Sequence, residues 1–251
     1  MSQNIEFQGM ILFSKDYKEK DRLVKIFTEQ AGKRMFFVRN IKKRNNPLVQ
    51  GIMNFCYGLY IGKLQKEGLS FLNGVKIAEM FSKIQSDIFL SGYATYILNL
   101  VDIAIEDNEY DPSLYVFTNK SLQLIDRGYD AEVVTIIFEL QILSRFGIQL
   151  AFDSCAVCGK EKGKFDFSSR ASGIVCDKHY KSDLNLYQAS PRAVYFVRML
   201  SNISLDNIGE IKLSVQTKRD IRKLVDAFYE EYVGICLKSK KFIDQMYKWE
   251  K

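Results

Sequence analysis

Four side chains that can bind a metal ion lie within 25 residues of one another, in the pattern C-x2-C-x17-C-x2-H. They are Cys155, Cys158, Cys176 and His179, and the chain contains no other histidine. Two close pairs of soft ligands, separated by a polar segment with glycines, are typical of tetrahedral zinc sites. Gly159 lets the backbone turn sharply after the first pair. The spacing therefore predicts one zinc ion, the alternative being unrelated cysteines that pack as small apolar side chains.

The number of ligands favours a structural zinc over a catalytic one. Four protein ligands close the tetrahedron, whereas a catalytic zinc normally keeps one position for water. The sequence has no H-x-E motif nearby to serve as a general acid and base. We also find no nucleophile–base pair, P-loop or paired-carboxylate signature, and we predict that the protein is not an enzyme.

The pattern of apolar residues along the chain changes near residue 80, from one typical of strands to one typical of helices. Before it, short apolar runs separated by turns predict a small closed sheet of the OB type. The predicted strands cover residues 5–13, 22–28, 34–41, 55–65 and 69–77. After it, helical periodicity and capping residues predict helices over 84–107, 112–127, 131–146, 192–203 and 217–247. We therefore predict an α+β protein with an OB-fold domain (1–80) and an α-helical domain (81–251) carrying a zinc insertion at about 153–182.

The composition of the chain predicts a sizeable hydrophobic core, and its apolar stretches predict no membrane segment. Of 251 residues, 47% are hydrophobic and 26% are charged, which is ample for a core. The opening MSQNIEFQGM lacks the basic start and apolar block of a signal peptide. The most apolar stretch, 88–105, contains Asn99 and Asp102, so we predict a buried helix there. Cysteines committed to zinc indicate reduced thiols and a cytoplasmic location.

The positive charge is concentrated in the predicted barrel. Residues 1–80 hold 14 Lys and Arg against 7 Asp and Glu, whereas the rest of the chain is nearly neutral. A local excess of this kind favours a polyanionic partner, although an ordinary solvated basic face has the same composition. OB barrels follow single strands with cations on their faces and loops. The candidate DNA-binding residues are Lys15, Lys18, Lys20, Lys33, Arg34, Arg39, Lys42, Lys43 and Arg44.

Aromatic residues of the predicted strands are candidates for base stacking. Phe36 and Phe37 are adjacent on one strand and must face opposite ways, so that one fills the core and the other is available to stack. Tyr57 and Tyr60 also lie on opposite faces of their strand. For each aromatic taken alone, a place in the barrel core is the competing interpretation.

Nearly the whole chain resembles the RecO family of bacterial recombination and repair mediators. The run GMILFSKDYKEKDRLVKIFTEQAGKRMFFVRNIKK is similar to that family's opening, and FDSCAVCGKEKGKFDFSSRASGIVC with His179 is similar to its zinc region. The order of barrel, helices, zinc insertion and helices matches as well. Two features depart from the family's pattern. His179 stands where the family often has a fourth cysteine, and the segment before the third cysteine, Ala171-Ser172-Gly173, contains fewer glycines than the family's.

The resemblance implies a DNA repair and recombination mediator, located with the nucleoid. Such a protein binds single- and double-stranded DNA, anneals complementary strands and helps to load the recombinase onto DNA coated with single-strand-binding protein, in the RecFOR pathway. The implied partners are RecR and the acidic tail of the single-strand-binding protein. By resemblance that tail enters a hydrophobic pocket in the helical domain. The candidates for its basic rim are Arg192, Arg198, Lys218, Arg219, Arg222 and Lys223, for each of which an ordinary exposed helical cation is the competing interpretation. A zinc-dependent enzyme acting on nucleic acid and a zinc-ribbon transcriptional regulator remain the alternatives.

Overall fold

The computed structural model describes residues 4–43, 46–66, 68–182 and 185–249, and it begins with a closed five-stranded barrel. The barrel strands are β1 (Ile5–Tyr17), β2 (Asp21–Thr28), β3 (Gly32–Val38), β4 (Cys56–Lys63) and β5 (Ser70–Met80). A short helix, α1 (Leu48–Gly51), lies between β3 and β4.

The strand order is β1-β2-β3-β5-β4, and β1 pairs with β4 to close the barrel. All pairs are antiparallel except β3 with β5, which run parallel. This closed barrel followed by helices confirms the predicted fold class. β1 continues four residues beyond its predicted end because Asp16 and Tyr17 still pair with β2. Its register shift lies between Ile11 and Phe13.

The barrel interior is filled by alternate residues of the strands, as the pleat requires. Phe7 stacks on Phe36 with ring centroids 5.2 Å apart, and Tyr60 lies 6.1 Å from Phe7 on the other side. The Tyr60 hydroxyl is satisfied because it donates to the Gly51 carbonyl oxygen at 2.6 Å. Phe36 is fully buried and its neighbour Phe37 faces outward, half-buried, as the sequence predicted.

One glycine lets β4 approach β5 closely. Gly58 has φ +153°, and a Cβ there would lie 2.0 Å from the Ile77 carbonyl oxygen. No side chain fits, so this position requires glycine. The pairing of β4 with β5 is irregular just beyond it, between Leu59 and Tyr60.

Seven helices and one β-hairpin complete the regular structure of the described residues after the barrel. They are α2 (Ser82–Ser86), α3 (Ile88–Ala104), α4 (Pro112–Arg127), α5 (Ala131–Ile142), the hairpin strands β6 (Phe165–Ser168) and β7 (Gly173–Cys176), α6 (Pro191–Asn202), α7 (Val215–Phe228) and α8 (Lys238–Trp249), joined in places by single 3-10 or π turns.

Local capping signals set several of these ends. Asp111 accepts from the Leu114 N–H to begin α4, and Gly128, at φ +106°, ends it. Ser190 caps α6 in the same way. Two predicted helices are broken. Asp87 caps α3 and separates it from α2, and a π turn with Gly234 separates α7 from α8.

The chain forms two compact units. Unit 1 comprises the residues up to Ala131 together with those from Leu237 onward, and unit 2 comprises Glu132–Cys236. The barrel thus shares its unit with α2, α3, α4 and α8, since α8 packs against α3. No helix among the described residues is long and apolar enough to cross a membrane.

Candidate metal centre and nucleic-acid interface

The four predicted ligands converge on one point in unit 2. Their donor atoms all lie within 4.8 Å of one another. The Cys158 and Cys176 sulfurs are 3.8 Å apart, and His179 Nδ1 lies 3.6 Å from the Cys155 sulfur and 3.4 Å from that of Cys176. A tetrahedral zinc ion with ordinary bond lengths requires about 3.8 Å between two sulfurs and about 3.6 Å between sulfur and nitrogen. The donor set therefore fits zinc in type, number and spacing.

Backbone hydrogen bonds form the two turns that present the ligands. The Gly159 N–H donates to the Cys155 carbonyl at 2.8 Å, and Gly159 adopts φ +72°. The Ala156 N–H donates to the Ile174 carbonyl at 2.8 Å, which holds this turn beside β7. Cys176 ends β7, and the 3-10 turn that follows brings His179 back to it. We call residues 153–182 the zinc knuckle.

The surroundings of Cys155 favour its thiolate form. Burial alone would raise the pKa of Cys155, but backbone hydrogen bonds to its sulfur outweigh burial and lower the pKa to about 6. One of these donors is the Cys176 N–H, at 3.3 Å. A thiolate is the form that binds metal, so Cys155 is ready to bind at neutral pH.

Arg198 of α6 holds the knuckle in place. Its Nε donates to the Phe152 carbonyl at 2.8 Å, and its Nη2 donates to the carbonyls of Asp153 at 2.6 Å and Glu161 at 3.1 Å. Its guanidinium also lies over the Phe165 ring, 4.7 Å from the centroid. Sequence reasoning assigned Arg198 to a partner-binding rim. The structure corrects this prediction, because the guanidinium is hydrogen-bonded to the knuckle backbone and is not available to a partner.

Most of the predicted DNA-binding cations gather at one end of the barrel. Lys15, Lys18 and Lys20 lie on β1 and the turn after it, and Arg39, Lys42 and Lys43 follow β3. The Asn40 N–H donates to the Asp21 carboxylate at 2.9 Å, which joins these two segments. Lys42 also lies 3.9 Å from Asp16 but stays 54% exposed. All six side chains are exposed, whereas Arg44 lies outside the described residues.

Lys33 belongs to a buried ion-pair cluster and is a correction to the prediction. Its side chain is only 3% exposed, and its Nζ lies 3.2 Å from Asp102 and 3.4 Å from Asp107. The same Nζ donates to the carbonyls of Asp102 and Ile105. Lys25 joins the cluster, and the two aspartates outweigh its burial and raise its pKa. Lys33 anchors α3 to the barrel and is not available to DNA.

Arg34 is also held by the barrel itself. Its Nε donates to the Ala31 carbonyl at 2.9 Å and its Nη1 to the Gln65 carbonyl at 2.6 Å. Burial lowers the pKa of this half-buried guanidinium. These hydrogen bonds direct the guanidinium at the protein backbone, so Arg34 is a second correction to the predicted DNA-binding residues.

Two more of the predicted rim residues in unit 2 form ion pairs within that unit. Arg222 is buried and makes a bidentate ion pair with the buried Glu139. Lys218 lies 3.3 Å from Glu132. Arg192, Arg219 and Lys223 are exposed. Only these three keep the accessibility that a binding rim requires.

Comparisons with known proteins agree along nearly the whole chain. The family model described as "Recombination protein O N terminal" matches residues 1–81, and "Recombination protein O C terminal" matches residues 85–241. The DNA repair protein RecO of Enterococcus faecalis is 51% identical over 245 residues, covering 98% of this chain and 94% of the relative. The protein of the same name from Lactococcus lactis subsp. lactis is 47% identical over 247 residues, covering 98% of each chain. The chain belongs to the RecO family of DNA repair proteins.

Proposed function

We propose that this protein is a mediator of DNA repair and homologous recombination that binds single- and double-stranded DNA and anneals complementary strands. We further propose that it helps to load the recombinase onto DNA coated with single-strand-binding protein. Family membership is the observation that carries the proposal. The cluster of exposed cations at one end of the barrel supports it independently.

The proposed DNA interface consists of the barrel-end cations, defined as Lys15, Lys18, Lys20, Arg39, Lys42, Lys43 and, by sequence position, Arg44. Exposed cations that pair with phosphates release counterions and lower the repulsion between two strands. Lower repulsion raises the rate at which complementary strands meet. Annealing by this route forms and breaks no covalent bond, so the proposal requires no catalytic residue.

We propose that the knuckle binds one zinc ion for a structural purpose. Cys155, Cys158, Cys176 and His179 would supply all four ligands, which leaves no position for a reacting water. The bound ion would tie the two turns of the knuckle together. Zinc chemistry therefore gives no support to the alternative of a zinc-dependent enzyme.

The proposed protein partners are RecR and the acidic tail of the single-strand-binding protein. For the tail, the exposed cations Arg192, Arg219 and Lys223 of unit 2 are the best remaining candidates. Lys223 lines a cavity of about 290 Å³ beside Tyr187 and Leu224. Tyr187 and Leu224 give the wall apolar area beside this cation, whereas Asp220 also lines the cavity, so the terminal carboxylate of a bound peptide would lie on the Lys223 side. A cytoplasmic, nucleoid-associated location remains a prediction.

Removing the charges after β3 should weaken DNA binding. We expect Lys42→Ala/Lys43→Ala/Arg44→Ala to bind single-stranded DNA more weakly. The slope of log K against log salt should fall by about 0.7 for each phosphate that the variant no longer neutralises. A salt titration of a labelled oligonucleotide measures both quantities.

The matched control also removes three cations, through Arg192→Ala/Arg219→Ala/Lys223→Ala. It should leave the salt slope unchanged and weaken binding of an acidic peptide ending in phenylalanine. Equal losses of DNA affinity in the two variants would mean that only net charge matters, and would remove the barrel end from the interface.

The function itself is tested by strand annealing on DNA coated with single-strand-binding protein. The wild-type protein should accelerate annealing, and the variant without Lys42, Lys43 and Arg44 should do so less. Turnover of DNA that requires the metal, or a strong preference for one duplex sequence, would instead favour an enzyme or a transcriptional regulator.

A further inference from the structure

A row of residues crosses the outside of the barrel from one lysine to another. Lys15 of β1 pairs with Leu23, Leu23 with Phe37, Phe37 with Phe71, and Phe71 with Lys63 of β4. Paired residues of neighbouring strands point to the same side of a sheet. Because Phe36 points into the core, its neighbour Phe37 and the whole row point outward. The row is therefore apolar in the middle and basic at both ends.

Two half-buried rings form the centre of this row. The Phe37 and Phe71 rings meet edge to face, with centroids 6.1 Å apart and planes at 88°. Tyr17 adds a third ring at 5.9 Å from Phe37. The Arg39 guanidinium lies over both phenylalanines, 5.9 Å from the Phe37 centroid and 5.4 Å from that of Phe71. Flat rings and a flat cation thus share one surface.

The rings and the cation line a groove, here called the barrel groove, of about 780 Å³. Its volume lies within the range of small-ligand sites, about 300–1,000 Å³. Besides the two phenylalanines and Arg39, it is lined by the cations Lys43 and Lys63 and the amide of Asn73. A ligand that suits it has a flat apolar part for the rings, polar edges for the amide and negative charge for the three cations.

We propose that the barrel groove is a base-stacking subsite for single-stranded DNA. An unpaired base lies against Phe37 and Phe71 with Arg39 beside it, and Lys43 and Lys63 pair with the flanking phosphates. The inference rests on the proposed DNA binding and deepens it. Bases within a duplex are already stacked on one another, so only a strand with accessible bases uses the groove.

The test compares three labelled DNAs of equal length: a thymine strand, the same strand with abasic positions, and a duplex. Binding to the full-length protein is followed by fluorescence anisotropy at one salt concentration. Stacking of one base contributes a factor of about 5 to 150 in affinity. The wild-type protein should therefore bind the thymine strand at least about fivefold more tightly than the abasic strand.

The informative variant is Phe37→Leu/Phe71→Leu, which keeps apolar side chains but removes both rings. It should bind the thymine and abasic strands equally and bind the duplex like the wild type. Phe71→Trp should keep the preference for the thymine strand, because tryptophan also stacks. Tyr110→Leu, which removes a 64% exposed aromatic outside the groove, is the matched control and should change nothing. Thermal melting verifies that each variant is folded.

Two results would overturn the inference. One is salt-dependent DNA binding without any difference between thymine and abasic strands, which leaves the proposed function intact. The other is a folded Phe37→Leu/Phe71→Leu variant that keeps its DNA preferences but loses binding of an acidic, phenylalanine-ended peptide, which would assign the groove to a protein partner. Failure of the wild-type protein to bind any of the three DNAs would instead refute the proposed function.

Discussion

At the scale of single residues, the buried ion pair between Arg222 and Glu139 has a large energetic consequence. Both hydrogen bonds of the pair are protected from water, and Tyr229 donates to the Glu139 carbonyl oxygen at 3.0 Å beside it. Removing one partner of such a pair leaves an unpaired charge in the interior. The two residues come from α7 and α5, so the pair joins two helices of unit 2.

We expect Arg222→Ala to lower the free energy of unfolding by about 3–5 kcal/mol, because Glu139 stays buried without its partner. Urea denaturation measures the loss. Arg219→Ala removes an exposed arginine of the same helix and should change stability by less than about 0.5 kcal/mol. Similar losses in the two variants would show that Arg222 acts through helix propensity or net charge.

At the scale of elements, the zinc knuckle and α6 form one structural module. The four candidate ligands converge within the knuckle, and Arg198 joins the knuckle to α6 through three backbone carbonyls. A metal ion held by these four residues would therefore be coupled to the position of α6. The barrel-end cations belong to unit 1, so the metal centre and the proposed DNA interface lie in different units of the chain.

Cys155→Ser should lose zinc and lower the melting temperature while keeping most of the DNA affinity. Metal content, a thermal melt and binding of a labelled oligonucleotide check the three parts of this prediction. Cys56→Ser changes a cysteine of the barrel and should keep its zinc. A folded Cys155→Ser variant that no longer binds DNA would place the knuckle within the DNA interface.

Sequence reasoning succeeded for elements where the determining signal is local. The capping residues Asp111 and Ser190 and the alternation that separates Phe36 from Phe37 lie within a few residues of what they determine. The four ligands form two pairs, and the members of each pair are only three positions apart. It failed where distant contacts decide. A lysine on a strand is ordinarily exposed, but the Lys33 Nζ donates to the carbonyl of Asp102 in α3 and to that of Ile105, which caps α3, 69 and 72 positions away.

The same limit applies to the other corrections. Arg198 contacts carbonyls 37 to 46 positions away, and Arg222 pairs with a carboxylate 83 positions away. The apolar period of 3.6 continues from α7 into α8, so periodicity alone missed the break at Gly234. Lys63 and Phe71 of the barrel groove were not selected, because only the strand register places them beside Phe37.

At the scale of the whole molecule, the last described helix returns to the unit that begins the chain. α8 packs against α3. The close contact requires a glycine at position 92, because a Cβ there would lie 2.9 Å from the Phe242 ring. Ser239 also donates to the Asn99 amide oxygen at 2.8 Å. The barrel unit is therefore completed by residues more than 150 positions after the barrel ends.

Gly92→Val should displace α8 and destabilise unit 1 by about 1–3 kcal/mol, because an enlarged side chain cannot fit beneath Phe242. Limited proteolysis near Leu237 and thermal melting report the two effects. Gly209→Val adds the same side chain where a Cβ meets no atom within 4 Å, and it should leave both measurements unchanged. If α8 resisted the protease equally in the Gly92→Val and Gly209→Val variants, its packing against α3 would be contradicted.

The return of α8 also sets an order of events during translation. The ribosome must produce all 105 residues of unit 2 before it makes the helix that covers Gly92. At about 5–20 residues per second, this takes roughly 5–20 s. During that interval the apolar surface of α3 beneath Phe242 and Met246 is open to solvent and to molecular chaperones. Slow codons in the segment that encodes unit 2 would prolong this exposure and lower the yield of folded protein.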